Sequence, residues 1–285
     1  MISAKFDYVR PSSLDSALAA LADGGEDAKV IAGGQSLLPL LRLRFAYPSV
    51  LVDVGSLAEL RGVRDAGDAL EIGALTTHYE VTKDPLIAAH AGLLAQAAGM
   101  IADPAVRHRG TIGGGLAHAD PAGDLPAVIT ALDATLIAHG PGGSRSISAA
   151  DFFVDYLTTS LAPGEILTSI RVPKLDGWGY RYEKFNVTAQ AWAIVGVAAV
   201  AQRANGHVAQ ARVGLTNMGT VPVRAHAVEA AASGADATAA ALAAAAASAD
   251  EGTNPPSDLR AADDYRRHLA RVLTGRALAA AAGVS

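Results

Sequence analysis

The chain has no cysteine. That excludes disulfides, thiolate zinc sites, a cysteine nucleophile and any iron–sulfur cluster held by the chain's own thiolates. If the protein exchanges single electrons with a cluster, another polypeptide must carry it. Aromatic residues are scarce at 5%, yet the hydrophobic set reaches 51%, mostly through alanine. The 285 residues can therefore bury a core, and their number suits two or three modules. Positive charge is not in excess either: 23 Lys and Arg against 28 Asp and Glu give a formal charge of −5. Without a basic run, the electrostatic footprint of a nucleic-acid or anionic-membrane binder is missing, and no nucleic-acid partner is expected. The longest apolar run, Ala191 to Ala201, is about half of what a bilayer span needs. The segment from Met1 to Asp7 lacks a signal peptide's apolar centre, so the expected location is the cytoplasm.

The common nucleotide and metal signatures are also missing. There is no G-x-G-x-x-G fingerprint, no G-x-x-x-x-G-K-[ST] phosphate loop, no H-E-x-x-H and no EF-hand pattern. His118 and Asp120 have the spacing of metal ligands but no third ligand nearby. They read better as part of a loop, and no metal site is assigned.

What is present is an order of elements. Ser12 to about Ala22 reads as a capped helix with Leu14, Ala17, Leu18 and Leu21 on one face, ended by Gly24-Gly25. A short strand at Lys29 to Ala32 runs into Gly33-Gly34-Gln35-Ser36 and then a helical Leu37 to Leu41. Strands are expected at Val50–Val54 and Ala69–Ala74, and one helix between Leu86 and Ala98. A second glycine cluster, Gly110 to Leu116, leads into Asp120-Pro121-Ala122-Gly123-Asp124-Leu125-Pro126 and a helix to about Leu132. Strands follow at Ala134–Ala138 and Ile166–Val172, the latter stopped by Pro173. The composition turns loop-like around Lys174 to Gly177, a natural domain boundary. Beyond it Tyr180–Val187, Ala191–Gln202 and Val208–Leu215 read as an antiparallel meander with an Asn205-Gly206 hairpin turn. Helices are expected at Val223–Ser233, Ala237–Ala249 and Asp263–Ala282.

The two glycine loops, Ala32 to Ser36 and Thr111 to Gly115, each combine glycines with a hydroxyl residue. Glycine lets backbone N–H groups converge on an anion, and Ser36 and Thr111 can add hydroxyl donors. Either loop alone reads more readily as a tight turn whose glycines serve only positive φ. Two loops embracing one diphosphate is the sharper reading, which spacing alone leaves open.

The motifs Ala32-Gly33-Gly34-Gln35-Ser36-Leu37-Leu38-Pro39, Leu43-Arg44-Phe45, Ile72-Gly73-Ala74, Arg109-Gly110-Thr111-Ile112-Gly113-Gly114, Ala117-His118-Ala119-Asp120-Pro121 and Asp124-Leu125-Pro126 come in one order. Glu165-Ile166-Leu167, Tyr182-Glu183-Lys184 and Leu215-Thr216-Asn217 follow. Together they closely resemble the FAD-binding medium subunit of molybdenum hydroxylases, the family of aerobic carbon monoxide dehydrogenase medium subunits and xanthine dehydrogenase FAD domains. The resemblance implies an α+β fold with a two-subdomain FAD-binding region of the p-cresol methylhydroxylase/vanillyl-alcohol-oxidase (PCMH) type. Its subdomains would be residues 1–55 and 56–174. A C-terminal flavoprotein domain, 175–285, with a small antiparallel sheet and helices, would close over the flavin.

By the same resemblance, Ala32, Gly33, Gly34, Gln35, Ser36, Thr111, Gly113 and Gly114 would hold the FAD diphosphate. Ile101 and Ala102 would line the flavin pocket, Asp124 would accept from a cofactor hydroxyl, and Leu167 would touch the cofactor through its backbone. Tyr182 and Lys184 would approach the isoalloxazine, where a cation favours the reduced, anionic ring. One departure is Gly115, where many relatives carry a polar residue. The implied function is electron transfer: non-covalent FAD would take electrons from [2Fe-2S] clusters in a small subunit and pass them to an external acceptor. The molybdenum cofactor would lie in a large subunit, and the assembly would be a dimer of heterotrimers. No catalytic residue is assigned in this chain. The alternatives are a self-contained flavin-dependent oxidoreductase of related fold and a non-catalytic scaffold that keeps that fold.

Overall fold

A computed structural model describes residues 2–284, with the chain arranged around three main sheets. The first has three parallel strands, Val50–Asp53 at the centre, flanked by Asp7–Val9 and Ala28–Ile31. Parallel neighbours need crossovers, and helix Leu14–Gly24 supplies the first, burying Ala17 and Leu21. That helix starts one residue later than Ser12 suggests. Ser13 Oγ accepts from Ser16 N at 3.2 Å, and Ser16 Oγ accepts from Ser13 N at 3.0 Å, so two serine hydroxyls satisfy both orphan donors.

The second sheet is antiparallel, in the order Val63–Asp65, Ala69–Gly73, Ile166–Pro173, Thr135–Gly140, Gly143–Ser148. Its middle strand is the last to arrive in sequence, inserted between two hairpins. Leu70, Ile72, Leu136, Ala138, Ile170 and Val172 share one buried core with residues of helices Gly92–Gly99, Ile112–His118 and Asp124–Ala131. The single helix expected between Leu86 and Ala98 is in fact two, Pro85–His90 and Gly92–Gly99, separated at Ala91 (φ −142°, ψ 45°). Gly92 opens the second helix, at a position where a Cβ would come within 2.3 Å of the Tyr180 ring.

The third sheet is the expected meander, Gly179–Phe185, Val195–Ala204 and His207–Thr216, extended by the short strand Val223–Arg224. Asn205 (φ 52°) and Gly206 (φ 83°) are both left-handed, as a two-residue type I′ turn requires. The helix expected from Val223 begins only at His226, because Leu215 pairs with Val223 and Gly214 with Arg224. Helices His226–Ala232, Ala239–Ala245 and Asp263–Ala281 complete the chain.

This sheet is covered on both faces. Val195, Val197, Ala199 and Ala201 join a core with Leu269, Leu273, Ala277 and Leu278 of the last helix. Tyr182, Ala198 and Val200 instead join the core of the five-stranded sheet. Burial of both faces explains why Ala191 to Ala201 is a continuous apolar run and does not alternate. No described helix is long and apolar enough to cross a membrane.

The meander is fitted closely to helix Asp124–Ala131. Asn217 N donates to Pro121 O at 2.8 Å, and Arg224 Nη1 donates to Thr130 O at 2.8 Å and to Asp133 at 2.6 Å. A Cβ on Gly214 would lie 2.2 Å from the Ala127 carbonyl oxygen, so sheet and helix meet backbone to backbone. Gly214→Val should lower unfolding free energy by roughly 1–3 kcal/mol or more through overpacking. Gly142→Ala, where a Cβ would meet nothing within 4 Å, should be near neutral. Denaturant melts of both variants test this, and wild-type stability in Gly214→Val would show that the close approach is dispensable.

Candidate functional site

A cleft of about 370 Å³ runs between the three-stranded sheet and the five-stranded one. Of the residues singled out in the sequence, Ala32, Gly33, Gly34, Gln35, Ser36, Thr111, Gly113, Gly114 and Leu167 line it. Ile101, Ala102, Asp124, Tyr182 and Lys184 do not; the last three form a second group of buried side chains, with half-buried Ile101 and Ala102 beside it.

The first glycine loop is the turn from strand Ala28–Ile31 into helix Leu37–Leu43. Among the described residues, no backbone N–H from Gly33 through Leu37 has an acceptor. The Ser36 hydroxyl caps nothing. Successive unpaired N–H groups at a turn are a site for an anion or a polar oxygen, since such groups are rarely left without a partner. Gly34 adopts φ +73°, a value that disfavours a side chain. A Cβ at Gly33 would sit 2.1 Å from the Arg109 carbonyl oxygen, so glycine there is what lets the two loops touch.

The second loop departs from the sequence reading. The glycines that follow Thr111 belong to the first turns of a helix, Ile112–His118. Their N–H groups are already used: Ile112 N donates to Thr76 O at 2.9 Å, Gly113 N to Ala74 O at 2.8 Å and Gly115 N to Thr111 O at 3.0 Å. Gly114 N donates to Thr111 Oγ1 at 3.1 Å. The loop therefore offers no free row of amides. What it offers is close packing, since a Cβ at Gly113 would strike Ala74 at 2.4 Å. It also offers the Thr111 hydroxyl, whose oxygen accepts and whose proton has no acceptor among the described residues.

The second group is centred on Asp124. Its Oδ1 accepts from Tyr182 Oη at 2.7 Å and its Oδ2 from Lys184 Nζ at 2.9 Å. The Lys184 and Asp124 side chains are only 2% and 4% exposed, and Tyr182 N donates to Gln96 Oε1 at 2.7 Å. Burial pushes the Asp124 carboxyl up, while the Lys184 charge and the Tyr182 hydroxyl pull it back. Burial, with the Asp124 charge behind it, raises the Tyr182 phenol, so the phenol stays protonated and donates. Lys184 also donates to Met100 O at 3.1 Å, next to Ile101 and Ala102, whose carbonyls both accept from Arg107 at 2.8 and 3.1 Å. Asp124 thus spends both oxygens inside the protein.

Sequence reasoning missed His78, which also lines the cleft. It is the first residue of helix His78–Lys83, behind a Thr77–Glu80 capping box, and that T-x-x-E pattern was the signal that could have placed it. Burial, with a smaller contribution from the Arg107 charge, lowers its pKa to about 4, so the ring is neutral at ordinary pH. Between pH 6.5 and 4 the native state binds fewer protons than the unfolded chain here, so this residue removes stability as pH falls through that window.

Residues 4–175 match the model of the FAD binding domain in molybdopterin dehydrogenase, and 180–281 that of the CO dehydrogenase flavoprotein C-terminal domain. The chain is 40% identical over 282 residues to the carbon monoxide dehydrogenase medium chain of Hydrogenophaga pseudoflava, covering 99% of this chain and 98% of that one. It is 38% identical to the 6-hydroxypseudooxynicotine dehydrogenase complex subunit alpha of Paenarthrobacter nicotinovorans, covering 97% and 94%. Among solved structures, carbon monoxide dehydrogenase from Hydrogenophaga pseudoflava superposes with TM-score 0.96 at 42% identity, covering 99% and 98%. Quinoline 2-oxidoreductase from Pseudomonas putida 86 gives 0.95 at 35%, covering 99% of each chain. With both family models matched in order and full-length relatives at this identity, the chain belongs to the FAD-binding medium subunits of carbon-monoxide-dehydrogenase-like molybdenum hydroxylases.

Proposed function

We propose that this chain is the electron-transfer subunit of a heterotrimeric molybdenum hydroxylase. It would receive electrons from [2Fe-2S] clusters of a small subunit and pass them to an external acceptor, with the molybdenum cofactor in a large subunit. On this reading the FAD is bound without a covalent link, the assembly is a dimer of heterotrimers and the location is cytoplasmic. The division into 1–55, 56–174 and 175–285 belongs to the same proposal. The observation that carries it is the row of unpaired N–H groups from Gly33 to Leu37 facing Thr111 across a cleft. That row suits the oxygens of a diphosphate, and it lies in a chain of a flavoprotein family.

On the protein's side, Ala32 to Ser36 would hold the diphosphate by backbone amides, with the Thr111 hydroxyl donating from the opposite wall. Gly113, by packing on Ala74, and Gly114, by packing on Thr111, would set the position of that wall, and Leu167 would close the inner end by backbone and apolar contact. Ile101 and Ala102 would border the ring end. Lys184 would act on that end through its bond to the Met100 carbonyl, and Tyr182 by holding, with Lys184, the buried Asp124 carboxylate. Bound FAD supplies acceptance of electrons singly and release singly or in pairs. The absence of cysteine agrees with clusters carried by a partner. Substrate choice would rest with the large subunit.

Two outcomes are expected. Gly34→Val places a β-branched side chain at φ +73° with its Cβ 3.0 Å from Leu38. Flavin occupancy, read from the visible spectrum, should collapse while the far-ultraviolet circular dichroism stays near wild type. Equal occupancy would mean the loop is only a turn. Second, adding the oxidisable substrate should bleach the flavin in the full assembly but not in this chain alone, while dithionite bleaches both. Turnover by the isolated chain at the assembly's rate would establish a self-contained oxidoreductase instead.

A further inference from the structure

Among the described residues nothing uses the imidazole of His78. Its backbone N–H donates to Gly110 O at 2.9 Å, but neither ring nitrogen has a hydrogen-bond partner among them, and Nδ1 is sealed from solvent as well. The residue is 6% exposed and lines the cleft. The ring lies against the glycine turn: a Cβ at Gly110 would be 3.2 Å from Nε2, and one at Gly115 would be 3.6 Å from Cε1. Gly110 and Gly115, neither with a side chain, line the cleft beside the ring.

The tautomer follows from the environment. A proton on Nδ1 would strand a buried N–H with no acceptor, which folded proteins tolerate less readily than an unfilled lone pair. The favoured neutral form carries its proton on Nε2, on the ring edge that reaches the cleft. Nε2, unlike Nδ1, is not sealed from solvent, so its proton is free to meet an oxygen acceptor in the cleft.

We propose that the Nε2–H of His78 donates a hydrogen bond to a phosphate oxygen of the bound FAD. This adds a neutral donor beside the Thr111 hydroxyl and opposite the Gly33–Leu37 amides. The inference rests on the FAD reading above. His78 is a binding residue and takes no part in moving electrons or protons. A neutral donor serves an anion without adding a charge that would need burial.

The full chain, freed of flavin and titrated with FAD, tests this together with two variants. His78→Leu removes the donor and should weaken FAD binding roughly tenfold or more, the loss expected for a hydrogen bond to a charged acceptor. His78→Gln restores an N–H at about the same reach and should recover most of it. Side-chain nitrogen NMR of the wild-type chain, which needs no variant to fold, should show His78 as the neutral Nε2-protonated tautomer, with its Nε2 resonance moving on addition of FAD. Wild-type affinity in His78→Leu, a proton on Nδ1 or an Nε2 resonance indifferent to FAD would each overturn the assignment while leaving the FAD reading intact. A wild-type chain that fails to bind FAD at all would overturn both.

Discussion

The site depends on how closely two turns approach one another. The carbonyl of Arg109 lies where any side chain at Gly33 would have to be, so the first loop can turn into its helix only with bare backbone facing the second. That approach leaves the amides from Gly33 to Leu37 without partners inside the protein. Gly33, Gly34, Ser36 and Leu37 are half-buried and Gln35 is exposed, so these amides face the cleft unpaired, and a ligand rich in oxygen can accept from them together. The opposite wall is the reverse case: the amides from Ile112 to Gly115 are already paired, while among the described residues the Thr111 hydroxyl proton and the His78 ring have no partner.

The C-terminal sheet is bound to this arrangement by a buried ionic contact. Asp124 and Lys184 are nearly inaccessible, and an ion pair withdrawn from water gains little net stability because desolvation offsets the attraction. What it imposes is geometry, since removing either partner would strand a buried charge. Lys184, from the meander, fixes both the start of helix Asp124–Ala131 and the carbonyl of Met100. Gly214 brings the same sheet against Ala127 backbone to backbone. Apolar packing then makes the sheet part of two cores at once.

Much of this was legible in the sequence, and the failures have physical causes. The meander was readable because Asn205-Gly206 is a strong hairpin signal and the flanking strands are long. Strands Val63–Asp65 and Gly143–Ser148 were not, because they are edge strands, mostly exposed and without an apolar pattern. The cap at Ser13 was missed by one residue because Ser12 and Ser13 are chemically alike and only the reciprocal bond with Ser16 separates them. The glycine cluster after Thr111 looked like a loop because glycine is a poor helix former; contact with Ala74 requires its smallness, and tertiary hydrogen bonds hold the turn in place. His78 went unnoticed because its significance lies in burial and a missing partner, neither of which spacing reveals. Asp124, Tyr182 and Lys184 were singled out together, but only the structure shows that they satisfy one another.

The central claim is that the ligand is held chiefly by amides of one loop and not equally by two. Amide hydrogen exchange of the chain with and without FAD measures this directly. Exchange from Gly33 to Leu37 should slow markedly when FAD binds, while Ile112 to Gly115, already hydrogen-bonded inside the protein, should change little. Protection confined to Ile112–Gly115, with Gly33–Leu37 exchanging as before, would contradict the account.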